Sequence, residues 1–153
     1  TVLYFPTVAA PITVSYNLSS VKDLQLSPDT LAGIFQAKIT TWDDAAIKAD
    51  NPGTTLPSTA IQSYHRNDDS GTTDNFTKYL TLAAASKWTL GTDKTVAWPT
   101  GQQAGNANGG VAQIVNSTTG SIGSSCLIAC QKITGKITIR NSPIPIEKCD
   151  RNV

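Results

Sequence analysis

A chain of 153 residues with 39% hydrophobic and 15% charged side chains is long enough for the core of one ordinary domain and too apolar to be disordered. Twelve Lys and Arg against eleven Asp and Glu give a formal net charge of +1, which removes any bulk electrostatic case for nucleic acid or an anionic membrane surface. No stretch approaches the roughly eighteen apolar residues of a membrane helix, so any recognition of an anion has to be local.

Thr1 to Leu18 reads as extended structure interrupted by Pro6 and Pro11, and the alternation in Ile12-Thr13-Val14-Ser15-Tyr16 predicts a strand over 12–17. The start Thr1-Val2-Leu3-Tyr4 carries no initiator Met and no charged leader, as expected of a mature or truncated product. Ser27 followed by Pro28 is a helix start, an N-cap with proline at the first helical position, and Leu31, Ile34 and Phe35 supply a buried stripe; a helix over 28–36 follows. A second start at Thr41, with Asp43 and Asp44 in the first turn, predicts a helix over 43–50 that stops at Asn51-Pro52-Gly53. Trp42 is expected in the core.

Ile61 to Tyr64 predicts a strand over 61–65, and the stripe Phe76, Tyr79, Leu80, Ala83 and Ala84 predicts a helix over 71–85. Further elements are expected as a strand over 95–97, a flexible glycine-rich loop from Gly101 to Gly110, a helix over 109–117 and a strand over 121–123. That loop opens onto a helix but lacks the Gly-Lys-Ser/Thr ending of a nucleotide P-loop, and it is left out of the expected site.

Between the second strand-like stretch and the third helical one lies His65-Arg66-Asn67-Asp68-Asp69-Ser70-Gly71-Thr72-Thr73-Asp74. At a strand-to-helix turn the first helical N–H groups lack intrahelical partners and the positive end of the helix dipole faces outward, which suits phosphate, sulfate or carboxylate. Gly71 permits close approach to the backbone, Ser70 and Thr72 add hydroxyls, Arg66 offers a planar fork, and Asp68 is placed to hold that fork. The plainer alternative has Ser70 as an ordinary N-cap and Arg66 as a surface cation paired with Asp68.

Three cysteines, Cys126, Cys130 and Cys149, lie in the last quarter of the chain. The single His65 leaves a four-ligand zinc site short of members, and one disulfide plus a free thiol suits the count as well, so neither a metal nor a cofactor is expected. Sequons at Asn17, Asn75 and Asn116 matter only in a chain secreted by a eukaryote.

The run from His65 to Thr73, preceded by Leu26-Ser27-Pro28-Asp29-Thr30-Leu31-Ala32-Gly33-Ile34-Phe35 and Lys38-Ile39-Thr40-Thr41-Trp42-Asp43-Asp44, closely resembles the phosphate-binding protein of the bacterial ABC phosphate importer, over roughly positions 4 to 123. The resemblance implies an α/β fold, a small mixed sheet flanked by helices, equivalent to one lobe of a two-lobed binding protein. It implies that Arg66, Ser70, Gly71 and Thr72 bind inorganic phosphate, that Asp68 orients Arg66, and that the chain works in the periplasm, at the cell surface or secreted. A transmembrane ABC permease and a second chain completing the cleft are the implied partners. The family's first-lobe contacts, including an Asp that tells phosphate from sulfate, have no counterpart here.

The likeness stops after Gly120-Ser121-Ile122-Gly123, giving a family-like lobe over 1–123 and a divergent tail over 124–153, which is either one or two strands or a replacement with no tie to binding. A charge-assisted hydrogen bond contributes about 1.5–3 kcal/mol and immobilising a ligand costs several, so an open half-site should hold phosphate only near millimolar. The expected function is phosphate binding within a solute-binding protein, not catalysis, since no nucleophile with a partnered base is evident. The alternative is a structural or interaction subunit that keeps the fold without tight phosphate binding.

Overall fold

The computed structural model describes residues 11–126 and 135–139. The extended reading before Pro11, Cys130, Cys149 and the stretch Pro143 to Ile146 lie outside the described residues, as does the side chain of Cys126.

The described elements run β1 (Ile12–Tyr16), β2 (Gln25–Leu26), α1 (Pro28–Phe35), α2 (Ala45–Asp50), β3 (Gln62–Arg66), α3 (Gly71–Ala83), β4 (Gln103–Gly105), α4 (Ala107–Ser117), β5 (Ser121–Cys126), β6 (Gly135–Lys136) and β7 (Thr138–Ile139). Five strands form one sheet in the order β4-β3-β5-β1-β6, and β2 pairs with β7 in a second, two-stranded sheet. β3 runs parallel to both β4 and β5, whereas β1 is antiparallel to β5 and β6, so the sheet is mixed as expected. β5 continues through Ser124 and Ser125 to Cys126, opposite Val14, Thr13 and Ile12. The boundary drawn after Gly123 thus falls inside a strand.

Local chemistry accounts for most boundaries. Ser27 caps α1 by accepting from the Thr30 N–H at 3.3 Å, with Pro28 at the first helical position. Leu31, Ile34 and Phe35 are fully buried, and Phe35 meets Phe76 of α3 edge to face at a centroid distance of 4.8 Å. α2 begins two residues later than expected because Asp44, whose side chain accepts from Ala46 N–H at 2.8 Å, is its cap rather than part of its first turn. Trp42 is completely buried, and its indole N–H donates to the Gly120 carbonyl at 3.0 Å. Gly120 sits at φ +81°, and a Cβ there would stand 2.9 Å from the Ala60 carbonyl oxygen, so the turn from α4 into β5 requires glycine.

Two expectations are overturned. Residues 95–97 form no strand; instead Trp98 folds back, its N–H donating to the Val96 carbonyl, and packs its ring against Phe35, Trp88 and His65. The pairing edge of β3 is taken by Gln103–Gly105, inside the segment read as a flexible loop. Gln-Ala-Gly has little strand propensity, so tertiary pairing decided that strand. α4 also starts two residues before the expected position, and α3 ends at Ala83 rather than 85.

Candidate functional site

The parallel register aligns Arg66, the last residue of β3, with Gly105, the last residue of β4. Both strands therefore release the chain at the same end of the sheet, the carboxyl end, where open α/β sheets place their ligands. From there β3 leads through Asn67-Asp68-Asp69 into α3 and β4 leads through Asn106 into α4. The second turn is sharp: a Cβ on Gly105 would lie 2.7 Å from the Val111 nitrogen, and Ala107 takes φ +54°. Helix α4 is thereby folded back close enough for Asn108 to reach Arg66.

The Arg66 guanidinium is gripped on two sides. Its Nε donates to Asp68 Oδ1 at 2.6 Å and its Nη2 to Asp68 Oδ2, a bidentate pair, while Nη1 donates to Asn108 Oδ1 at 2.9 Å. Of the five guanidinium N–H groups, those three contacts leave one on each of Nη1 and Nη2. The Arg66 side chain is 11% exposed and that of Asp68 38%. Hydrogen bonding to Asp68 raises the Arg66 pKa further above its ordinary value, and the same bond, first among the causes, lowers that of Asp68, with the Ala107 backbone N–H adding to it. Arg66 and Asp68 together carry no net charge. Attraction for an anion must then come from aimed N–H groups rather than from excess charge.

Ser70 is the N-cap of α3, its Oγ accepting from Thr72 N–H at 3.1 Å and Thr73 N–H at 3.3 Å, and it is almost wholly buried. Its own N–H donates to the Lys94 carbonyl. The capping role weighed from sequence is thus present, and it leaves the hydroxyl hydrogen of Ser70 and the N–H of Gly71, first in the helix, without intrahelical acceptors. Gly71 is exposed, with nothing within 4 Å of where a Cβ would stand. The Thr72 hydroxyl donates to Asn108 Oδ1 at 3.3 Å. Ser70→Ala should destabilise the fold by about 1 kcal/mol, and Ser70→Gly by a few tenths, in urea unfolding followed by circular dichroism; equal effects would deny the cap.

The turn thus brings Arg66, Asp68, Ser70, Gly71 and Thr72 together around one helix start. The sequence reading missed Asn108, which touches both Arg66 and Thr72; its only advance signal was an asparagine at the opening of a glycine-rich helix start. Beside the site, His65 stacks on Trp98 at 4.9 Å between centroids, and its Nδ1 lies 2.8 Å from the Arg66 carbonyl. A carbonyl can only accept, so Nδ1 carries the hydrogen. Burial, outweighing that bond, lowers the His65 pKa, so at neutral pH it adds no charge.

The sequence matches the PBP superfamily domain over residues 1–136. The chain belongs to the PBP superfamily. It is 40% identical over 144 residues to a protein of Mycobacterium leprae named phosphate-binding protein PstS 3, which covers 92% of this chain and 39% of that one. It is 43% identical over 122 residues to the phosphate-binding protein PstS of Xylella fastidiosa, covering 78% of this chain and 33% of that protein. This PBP-superfamily chain therefore spans well under half the length of the curated relatives it matches. Among solved structures, a phosphate-binding protein from Stenotrophomonas maltophilia superposes with a TM-score of 0.65 at 23% identity, over 86% of this chain and 40% of the other. An ABC-type phosphate transport receptor from Vibrio cholerae gives 0.64 at 19% identity, over 86% and 47%. These superpositions establish the fold as one lobe of such a protein. No helix among the described residues is long and apolar enough to cross a membrane.

Proposed function

We propose that this chain is a phosphate-binding lobe of an extracytoplasmic solute-binding protein, in which Arg66, Ser70, Gly71 and Thr72 receive inorganic phosphate and Asp68 orients the guanidinium. The observation that carries this is the braced fork: Arg66 is held by Asp68 and Asn108 with one N–H on each terminal nitrogen unspent, at the start of α3. One N–H on each terminal nitrogen can meet an oxygen of a tetrahedral oxyanion, and the Gly71 amide adds a third donor at the positive end of a 13-residue helix. The names of the relatives point to the same ligand.

The arrangement suits binding rather than catalysis. Among the described residues no hydrogen bond joins the Ser70 hydroxyl, which caps α3, to the His65 ring, whose Nδ1 is turned to the Arg66 carbonyl, so the two are not set as nucleophile and base. The anion is met by one face only, and the cleft is closed by a further segment or a second chain before phosphate is handed to a transmembrane permease. The protein works in the periplasm, at the cell surface or in secreted form.

Calorimetric titration with inorganic phosphate tests this on the full-length protein, meaning this chain together with whatever segment or second chain closes the cleft, with saturable binding well below millimolar expected. Asp68→Asn removes the ionic part of one brace but leaves the Asn108 contact, so affinity should fall by roughly tenfold, less than in Arg66→Ala. No saturable binding by the full-length protein at millimolar phosphate would falsify the proposal.

A further inference from the structure

We infer that Asn108 is a positioning residue of the anion site, tying the β4–α4 turn to the phosphate-binding fork. The inference rests on the reading of Arg66 and Thr72 as anion ligands and extends it to an element that contributes no ligand of its own. Arg66 Nη1 can only donate, so the Asn108 atom 2.9 Å from it is the carbonyl oxygen and not the amide nitrogen. The same Oδ1 receives the Thr72 hydroxyl at 3.3 Å, so one atom holds two prospective ligands that come from different elements.

Asp68 alone fixes the guanidinium along its Nε and Nη2 edge, which leaves the plane able to swing about the carboxylate. Asn108, reaching Nη1 from α4, removes that freedom. Its longer contact to Thr72 gives the hydroxyl an acceptor while the site is empty, and a weak one, so the proton can turn to an arriving oxyanion. The backbone is shaped for this delivery: Gly105 lets α4 approach and Ala107 adopts φ +54°. One brace of Arg66 thus comes from its own turn and the other from the start of α4, and preorganisation of this kind raises affinity by reducing what must be ordered on binding.

The test is a double-mutant cycle on the full-length protein, titrated calorimetrically with inorganic phosphate. Asn108→Ala should weaken binding by roughly tenfold while the melting temperature without phosphate stays close to that of wild type. In an Arg66→Ala background the same change should cost almost nothing, because its effect runs through the guanidinium. Asn108→Asp keeps both acceptor contacts and the fold, yet places a carboxylate on the same guanidinium as the anion. It should weaken phosphate at least as far, with a deficit that narrows as salt is raised. Wild-type affinity in Asn108→Ala, equal losses with and without Arg66, or, should the alanine variant fail to fold, wild-type affinity in Asn108→Leu, which fills similar space without an acceptor, would each overturn the inference. If Arg66→Ala itself binds phosphate normally, the fault lies with the proposed function instead.

Discussion

Arg66→Lys in the full-length protein is expected to weaken phosphate by roughly two orders of magnitude, almost as much as Arg66→Ala, because two charge-assisted hydrogen bonds of about 1.5–3 kcal/mol each are at stake. Arg66 spends three N–H groups on Asp68 and Asn108 and still offers two to the ligand. An ammonium has three donors on one atom and no plane, so it satisfies Asp68 or the anion but not both braces and the anion together. Titration calorimetry of the two variants reads the difference directly. A lysine variant within a few-fold of wild type would mean that charge suffices and the fork does not matter.

The largest loss of stability is expected from Trp42→Ala. The side chain is fully buried against Tyr16 in the main core, and truncations of this size cost about 3–5 kcal/mol. The change also strips the Gly120 carbonyl of its indole donor, which adds roughly 1–3 kcal/mol where no water can replace it. Trp42→Phe keeps much of the packing and loses the hydrogen bond, so it should fall between. Urea unfolding of the three proteins should rank them wild type, phenylalanine, alanine. Equal midpoints for phenylalanine and wild type would show that the bond to Gly120 contributes nothing.

What the sequence disclosed and what it withheld divide along a physical line. Ser27-Pro28 and Ser70-Gly71 start helices through contacts within a few residues, and both starts lie where local chemistry predicts. Buried stripes such as Leu31, Ile34 and Phe35 are likewise local in origin. The turn from Arg66 to Thr72 was legible because its residues adjoin in sequence. β4 was not, since Gln103–Gly105 becomes a strand only by lying beside Tyr64 to Arg66, some forty residues away in the chain. Val96 offered β-branched propensity but was overruled when Trp98 found Phe35, Trp88 and His65. Asn108 escaped notice for the same reason as β4, because its importance lies in a partner 42 residues earlier.

The central claim is that phosphate sits on the Arg66 fork at the start of α3, and the most direct measurement is a crystal structure of the full-length protein grown with inorganic phosphate. The anion should be found bridging Arg66 Nη1 and Nη2, with the Gly71 amide and the hydroxyls of Ser70 and Thr72 turned to its oxygens and Asp68 still paired behind the guanidinium. A fully occupied phosphate elsewhere, with the two free Arg66 N–H groups facing water, would contradict the account.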